Sequence, residues 1–261
     1  MTKKFNQKEL KAIIKAFDKS DLEAIKGYIT DGFDPNEILT IKKGNIFDEN
    51  NPYTVYDYAL NTQTWYLTFI LETKKYKEQK AQLEIIKYIT PLITSAYPLS
   101  DGRSYTWRAF FGAQRSEGKR IGMFDELLEA MLDSGYDIIN DKGIFETIGL
   151  FGLDTVKKVI EKTGIDDGDS VYSAAYNNNV EVLNFLLDKK VPVNKPFNFS
   201  VGGVSTALHE VITGKEEALV KRLLEMGVDV SVKNIYGQTC LEWAKTHELS
   251  KEILDLLGKM A

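Results

Sequence analysis

Apolar residues recur at helical spacing in short paired runs, clearest near the C-terminus. The run Ser205-Thr206-Ala207-Leu208-His209-Glu210-Val211 is echoed by Gln238-Thr239-Cys240-Leu241-Glu242-Trp243-Ala244, and Thr206 and Thr239 stand 33 residues apart. Behind each lies a second apolar-periodic run, Leu219 to Leu224 and Ile253 to Leu257, followed by Gly227 or Gly258. A short helix, a tight turn, a longer helix and a glycine stop make one supersecondary unit. Each unit has apolar residues on more than one face, so it can hide them only against a neighbour. The pattern predicts stacked helix pairs.

The period and the run Thr206-Ala207-Leu208-His209 resemble the ankyrin repeat, whose first helix carries Thr-Pro-Leu-His-x-Ala, and match three of its first four residues. Gly227-Val228-Asp229-Val230 is similar to the loop that follows the second helix of that family. Val171 to Leu187 follows the same grammar, with Asn178 where the family usually has glycine; asparagine is the next best residue for a left-handed backbone. Upstream, Ile144 to Ile160 ends in Thr163-Gly164-Ile165-Asp166, and Ser104 to Leu132 ends in Ser134-Gly135-Tyr136-Asp137. Thr54 to Ala59 fits the signature's Thr and Ala, with Leu83 to Ile89 as its second helix. Leu10 to Phe17 and Leu22 to Ile29 close on Asp31-Gly32-Phe33-Asp34-Pro35-Asn36, close to the family's Gly-Ala-Asp-Pro-Asn.

The resemblance implies an all-α ankyrin-repeat α-solenoid, curved, of seven helix pairs in a single domain 1–261. Approximate repeats are 5–36, 51–97, 103–139, 143–166, 170–201, 205–232 and 238–260, with the second and third irregular. Ala59 and Leu83 are 24 positions apart where a regular unit has six, so about 18 residues, Thr62 to Lys80, are inserted or lengthen the helices. Gln114 to Gly122 is a shorter insertion.

Composition agrees with a folded chain. The 261 residues are 43% hydrophobic and 27% charged, enough for a sizeable core. The longest apolar run, near Trp65 to Leu71, is too short to span a bilayer, and Met1 to Lys15 lacks the apolar stretch of a secretory signal. A soluble, cytoplasmic protein is expected. One cysteine, Cys240, and two histidines, His209 and His247, leave little material for zinc, so neither metal nor cofactor is expected.

Catalytic material is equally sparse. The resemblance gives His209 a structural role, bridging neighbouring repeats. His247 falls at the end of the last first helix and is expected in solvent; Cys240, without a histidine beside it in its own repeat, reads as an inert packing residue. Gly214-Lys215 lacks the rest of a P-loop, and Gly102, Gly112, Gly118 and Gly122 are too scattered for a dinucleotide fingerprint. Asn198-Phe199-Ser200 is a glycosylation sequon that should stay unmodified. The chain is read as non-enzymatic.

Binding has better candidates. The loop from Val191 to Gly203 is about four residues longer than the next one and in this architecture is a projecting finger. Phe197 and Phe199, two apart, share a face there, either as interface anchors or folded back onto the next unit. The concave positions of the first helices are Arg108, Glu146, Ser173, Glu210 and Trp243, followed a turn later by Phe111, Tyr176 and Asn177. Trp243 also lies in the last repeat, where a cap needs cover.

Net charge is −5, from 33 basic and 38 acidic residues, yet Lys74 to Arg120 holds ten basic against four acidic, a local +6 that leaves −11 elsewhere. Tyr105, Trp107, Phe110 and Phe111 alternate there with Arg103, Arg108, Arg115, Lys119 and Arg120, as a single-stranded nucleic-acid site requires. The acidic total favours core rings and a solvated or protein-docking face instead. The sequence therefore predicts a monomeric protein-interaction scaffold, using finger loops and the concave face, with no membrane and with nucleic acid as the alternative. If the source is bacterial, a toxin-neutralising or antagonist role would suit it.

Overall fold

Helix α1, Gln7–Asp18, begins at a reciprocal cap: Asn6 accepts from the backbone of Lys8 and Glu9, and Glu9 accepts from the Asn6 amide at 2.8 Å. Three of the four orphan amides at this end, those of Asn6, Lys8 and Glu9, are thereby satisfied. Leu10, Ile13, Ile14 and Phe17 then fall on one buried stripe. The chain turns at Ser20 into α2, Leu22–Thr30, capped by Asp21 on the Ala24 amide. This pairing, and not a long continuous helix, recurs among the described residues.

The computed structural model describes residues 4–39, 53–54, 76–94, 104–110, 122–166, 168–198 and 203–260. They group into two compact units, 1–144 and 145–261. In the first unit, α3 is Tyr76–Ile89, α4 Tyr105–Phe110 and α5 Gly122–Asp133, with a 3-10 turn at Thr90–Leu92. Strand β1, Ile38–Leu39, pairs antiparallel with β2, Tyr53–Thr54, placing Ile38 opposite Thr54. Second helices α2, α3 and α5 neighbour one another in turn. Their shared interior contains Ile25, Ile85, Ile86, Ile89, Leu127, Leu128 and Met131, all buried. Each such side chain contributes about 1.5–3 kcal/mol when fully removed from water.

The expected second-repeat helix Thr54 to Ala59 lies outside the described residues except Thr54, which is on β2. Helix α3 starts seven residues before Leu83, at Tyr76, so the end of the 62–80 insertion lengthens this helix. Of the 114–122 insertion only Gly122 is described, and it opens α5.

Helix α6, Gly143–Thr147, is followed by a 3-10 turn, Ile148–Leu150. The second unit continues with α7 Leu153–Thr163, α8 Asp169–Tyr176, α9 Val180–Asp188, α10 Ala207–Thr213, α11 Glu217–Glu225, α12 Cys240–Thr246 and α13 Lys251–Met260. Between α9 and α10 stands a hairpin of β3, Phe197–Asn198, and β4, Val204–Ser205. First helices α8, α10 and α12 pack side by side; so do α7 with α9 and α11 with α13. This is the two-layer order of an all-α repeat fold.

Turn geometry repeats with the elements. Between first and second helices, Ser20, Asn178, Lys215 and Glu248 all take φ of 50 to 58°. Asn178 thus adopts the left-handed backbone expected of it. After the second helices a positive φ falls to Gly32, Gly135, Gly164 and Gly227, and once to Lys190 at φ 59°. The loop asparagines also recur. Asn36 donates to the Leu92 carbonyl and accepts from the Thr94 amide; Asn194 donates to the Gly227 carbonyl at 3.2 Å and accepts from the Asp229 amide at 2.7 Å. Each ties its loop to the loop one repeat ahead.

Candidate protein-binding face

The second unit brings its finger and first helices together through Tyr172. Phe197 on β3 lies flat on the Tyr172 ring, centroids 4.7 Å apart and planes 4° apart, and Tyr176, one helical turn along α8, stacks on the same ring at 6.0 Å. Lys195, two residues before Phe197, pairs with Asp169 at the start of α8 at 2.6 Å. The finger base is therefore fastened to α8 by a stack and an ion pair. Phe197 folds back onto the first helix of its own repeat, half-buried; Phe199 lies outside the described residues.

Glu210 on α10 is the polar centre of this face. Its Oε1 accepts from Ser205 Oγ at 2.6 Å and from the Tyr172 hydroxyl at 3.3 Å. Burial pushes its carboxyl above the ordinary 4.5, while the bonds from Ser205 and Tyr172 pull it down. The Tyr172 hydroxyl is raised, first by burial and then by the Glu210 charge. Tyr172 was not evident as a site residue in the sequence: it occupies the signature-histidine position, and nothing in its residue type reveals the stack.

His209, one residue before Glu210, is buried and bridges repeats. Its Nδ1 lies 2.9 Å from Thr206 Oγ1, its ring bonds the Gln238 backbone, and its Nε2 lies 3.6 Å from Cys240 Sγ. Burial lowers its pKa. Cys240, fully buried, has its thiol pushed up to about 12, chiefly by desolvation. A histidine does therefore stand beside Cys240, supplied by the preceding repeat, but the pair is sealed from solvent.

The last first helix carries a second aromatic group. Trp243 stacks with Tyr236 at 5.6 Å and lies 4.2 Å from the His247 ring, and its Nε1 donates to Thr213 Oγ1 at 3.0 Å. His247, expected in solvent, is half-buried here, with Nδ1 donating to the Trp243 carbonyl at 3.0 Å. Tyr236 is 69% exposed and its neighbour Ile235 43%. Their turn is held by Asn234, whose side chain accepts from the Tyr236 and Gln238 amides at 3.0 Å. The signal for this tip was an aromatic inside an Asn-x-x-Gly turn.

Of the sequence-derived residues, Phe197, Tyr176, Glu210 and Trp243 thus lie on this face, and Asn177 follows Tyr176 with its Nδ2 donating to the Ser173 carbonyl at 2.8 Å. Arg108 is on α4 in the first unit; Arg115, Lys119 and Arg120 lie outside the described residues. Among the described residues, no group of three or more His, Cys, Asp or Glu could hold a metal ion, and no helix is long and apolar enough to cross a membrane.

No family model matches the chain. Among curated proteins it is similar to Alpha-latrotoxin-Lg1a of Latrodectus geometricus, 26% identical over 103 residues, and to BRCA1-associated RING domain protein 1 of Caenorhabditis elegans, 26% identical over 91 residues. These stretches cover 36% and 34% of this chain but only 7% and 12% of those proteins. Among solved structures, the ankyrin repeat domain of Bcl-3, described as a unique member of the IkappaB protein family, matches with a TM-score of 0.51 and 20% identity, covering 94% of this chain and 97% of that one. The ankyrin repeat domain of human ASB11 gives a TM-score of 0.48 and 14% identity over 95% of this chain and 97% of its own. The chain has the ankyrin-repeat fold, an all-α repeat solenoid.

Proposed function

We propose that this chain is a non-enzymatic, cytoplasmic, monomeric protein-binding scaffold that engages its partner through the fingers and first helices of the second unit. The observation that carries the reading is the treatment of its exposed rings. Tyr236 and Tyr176 stand 69% and 41% exposed, yet each is stacked on a ring fixed from behind by a hydrogen bond, Trp243 on Thr213 and Tyr172 on Glu210. Large exposed rings held in one arrangement lose little freedom on docking, which is what an interface anchor requires. A toxin-neutralising or antagonist role is a narrower form of this reading.

Affinity purification from the native host, with mass spectrometry of the captured proteins, tests it. One protein should be recovered reproducibly with the wild-type chain and lost with Tyr236→Ala and Tyr176→Ala combined, at unchanged helicity. Recovery of RNA or DNA alone, in a complex that weakens steeply with salt, would transfer the function to the basic segment containing Arg108, Arg115, Lys119 and Arg120.

A further inference from the structure

The carboxylate at the centre of the candidate face lacks a counter-charge. Both hydrogen bonds to Glu210 arrive on Oε1, from neutral hydroxyls, Ser205 Oγ and Tyr172 OH. Its Oε2 has no partner among the described residues, and no Lys or Arg among them pairs with Glu210. Asp169, also half-buried, by contrast has its cation, Lys195 at 2.6 Å. A carboxylate drawn partly out of water and left without a cation gains more from an arriving cation than a fully solvated one does, because the low-dielectric surroundings strengthen the attraction.

The same tyrosine that bonds Glu210 also builds the apolar side of the site. Tyr172 is covered on one face by Phe197 and stacked by Tyr176, whose own ring remains 41% exposed. A planar cation suits such a combination: a guanidinium donates in-plane hydrogen bonds to a carboxylate and lays its face on an aromatic ring. An ammonium offers the charge without the flat face.

We propose that Glu210 Oε2 and the exposed Tyr176 ring form a receptor for an arginine side chain of the protein partner, so that the partner presents a basic segment to this face. This rests on the protein-binding reading above and adds the chemistry of what is bound. Tyr172 acts as a positioning residue, holding the carboxylate with its hydroxyl and the outer ring with its face. Ser205, at the finger base, orients the second lone pair of Oε1, so finger and receptor are set by one carboxylate.

A chemical-shift titration of the full chain with two matched peptides, acetyl-Gly-Arg-Gly-amide and its citrulline counterpart, tests this. Citrulline keeps the shape of arginine and removes the charge. The arginine peptide should shift resonances around Glu210, Ser205 and Tyr176 at about tenfold lower concentration than the citrulline peptide, the factor expected when a charge-assisted hydrogen bond is lost. Glu210→Gln, which keeps an acceptor for Ser205 and Tyr172, should abolish that preference at unchanged circular dichroism. Tyr176→Ala, at an exposed position, should weaken the arginine peptide several-fold and serves as the deciding variant if the glutamine substitution unfolds. Equal response to the two peptides, or a preference that survives Glu210→Gln, would overturn the proposal. If capture of a protein partner still depends on Tyr236 in that event, the scaffold reading stands and only the arginine assignment falls.

Discussion

Nε2 of His209 and Sγ of Cys240 face each other at 3.6 Å across the junction of the last two repeats, both side chains closed off from water. The imidazole is neutral there, since burial holds its pKa below the ordinary 6.5. The unfolded chain, by contrast, takes a proton on this ring once the pH drops below about 6.5. Stability should therefore decline as the pH falls from 7 through the window beneath 6.5, with a slope of at most one proton. Glu210 and Asp141 act oppositely: burial raises both, so each adds stability to the folded state as the pH falls into the range above its ordinary value, 4.5 and 3.8. Urea midpoints measured at successive pH values should show the decline near pH 6, and His209→Asn should flatten it. A pH profile left unchanged by His209→Asn would contradict the buried neutral ring.

The same closure protects the thiol. With its pKa pushed up to about 12 and no solvent exposure, Cys240 should resist a thiol reagent at neutral pH in the folded protein and react only at the rate of unfolding. Labelling kinetics followed with and without urea check this. Prompt labelling in buffer would mean that the last repeat opens far more readily than its packing implies.

Backbone geometry gives a prediction by substitution. Lys215 and Glu248 hold φ of 58° at the turns between first and second helices, where a side chain is strained and glycine is not. Lys215→Gly and Glu248→Gly should each stabilise the chain by about 0.5–1 kcal/mol, the relief of strain exceeding the added freedom of the unfolded state. Asn178→Gly should gain less, because asparagine tolerates the left-handed region. Thermal melts of the three variants decide the order, and equal gains would refute the explanation.

Two glycines should respond to alanine with opposite signs. A Cβ on Gly149 would stand 2.2 Å from the Ser173 carbonyl oxygen, whereas one on Gly27, inside α2, would meet nothing within 4 Å. Gly149→Ala should cost about 1–3 kcal/mol, since backbone must move. Gly27→Ala should stabilise by about 0.5–1 kcal/mol through helix propensity. Denaturant titration of both variants is the check.

The repeat grammar was legible because it is local. Apolar stripes such as that from Leu10 to Phe17 and the turn at Asn178 lie within a few residues of what they govern. Helix α3 shows where this stops. Residues 76–82 carry little apolar periodicity, so the pattern gives no sign that the helix begins at Tyr76. The candidate face was half legible. Glu210, Tyr176 and Trp243 follow from position within the repeat, whereas the contact of Phe197 with Tyr172 joins residues 25 positions apart, and alternation along a strand says which side a ring takes but not what it touches. The environment of His247 was misjudged for a related reason: the surface that covers it is Trp243, a residue read as a potential binding group.

The asparagine clasp at Asn194 has a consequence for how the second unit comes apart. Its carboxamide grips backbone on the following repeat and nothing more distant, so cooperativity passes from neighbour to neighbour like the teeth of a zipper. Severing one tooth should let the segment beyond it fray while the segment before it keeps its amide protons from exchange.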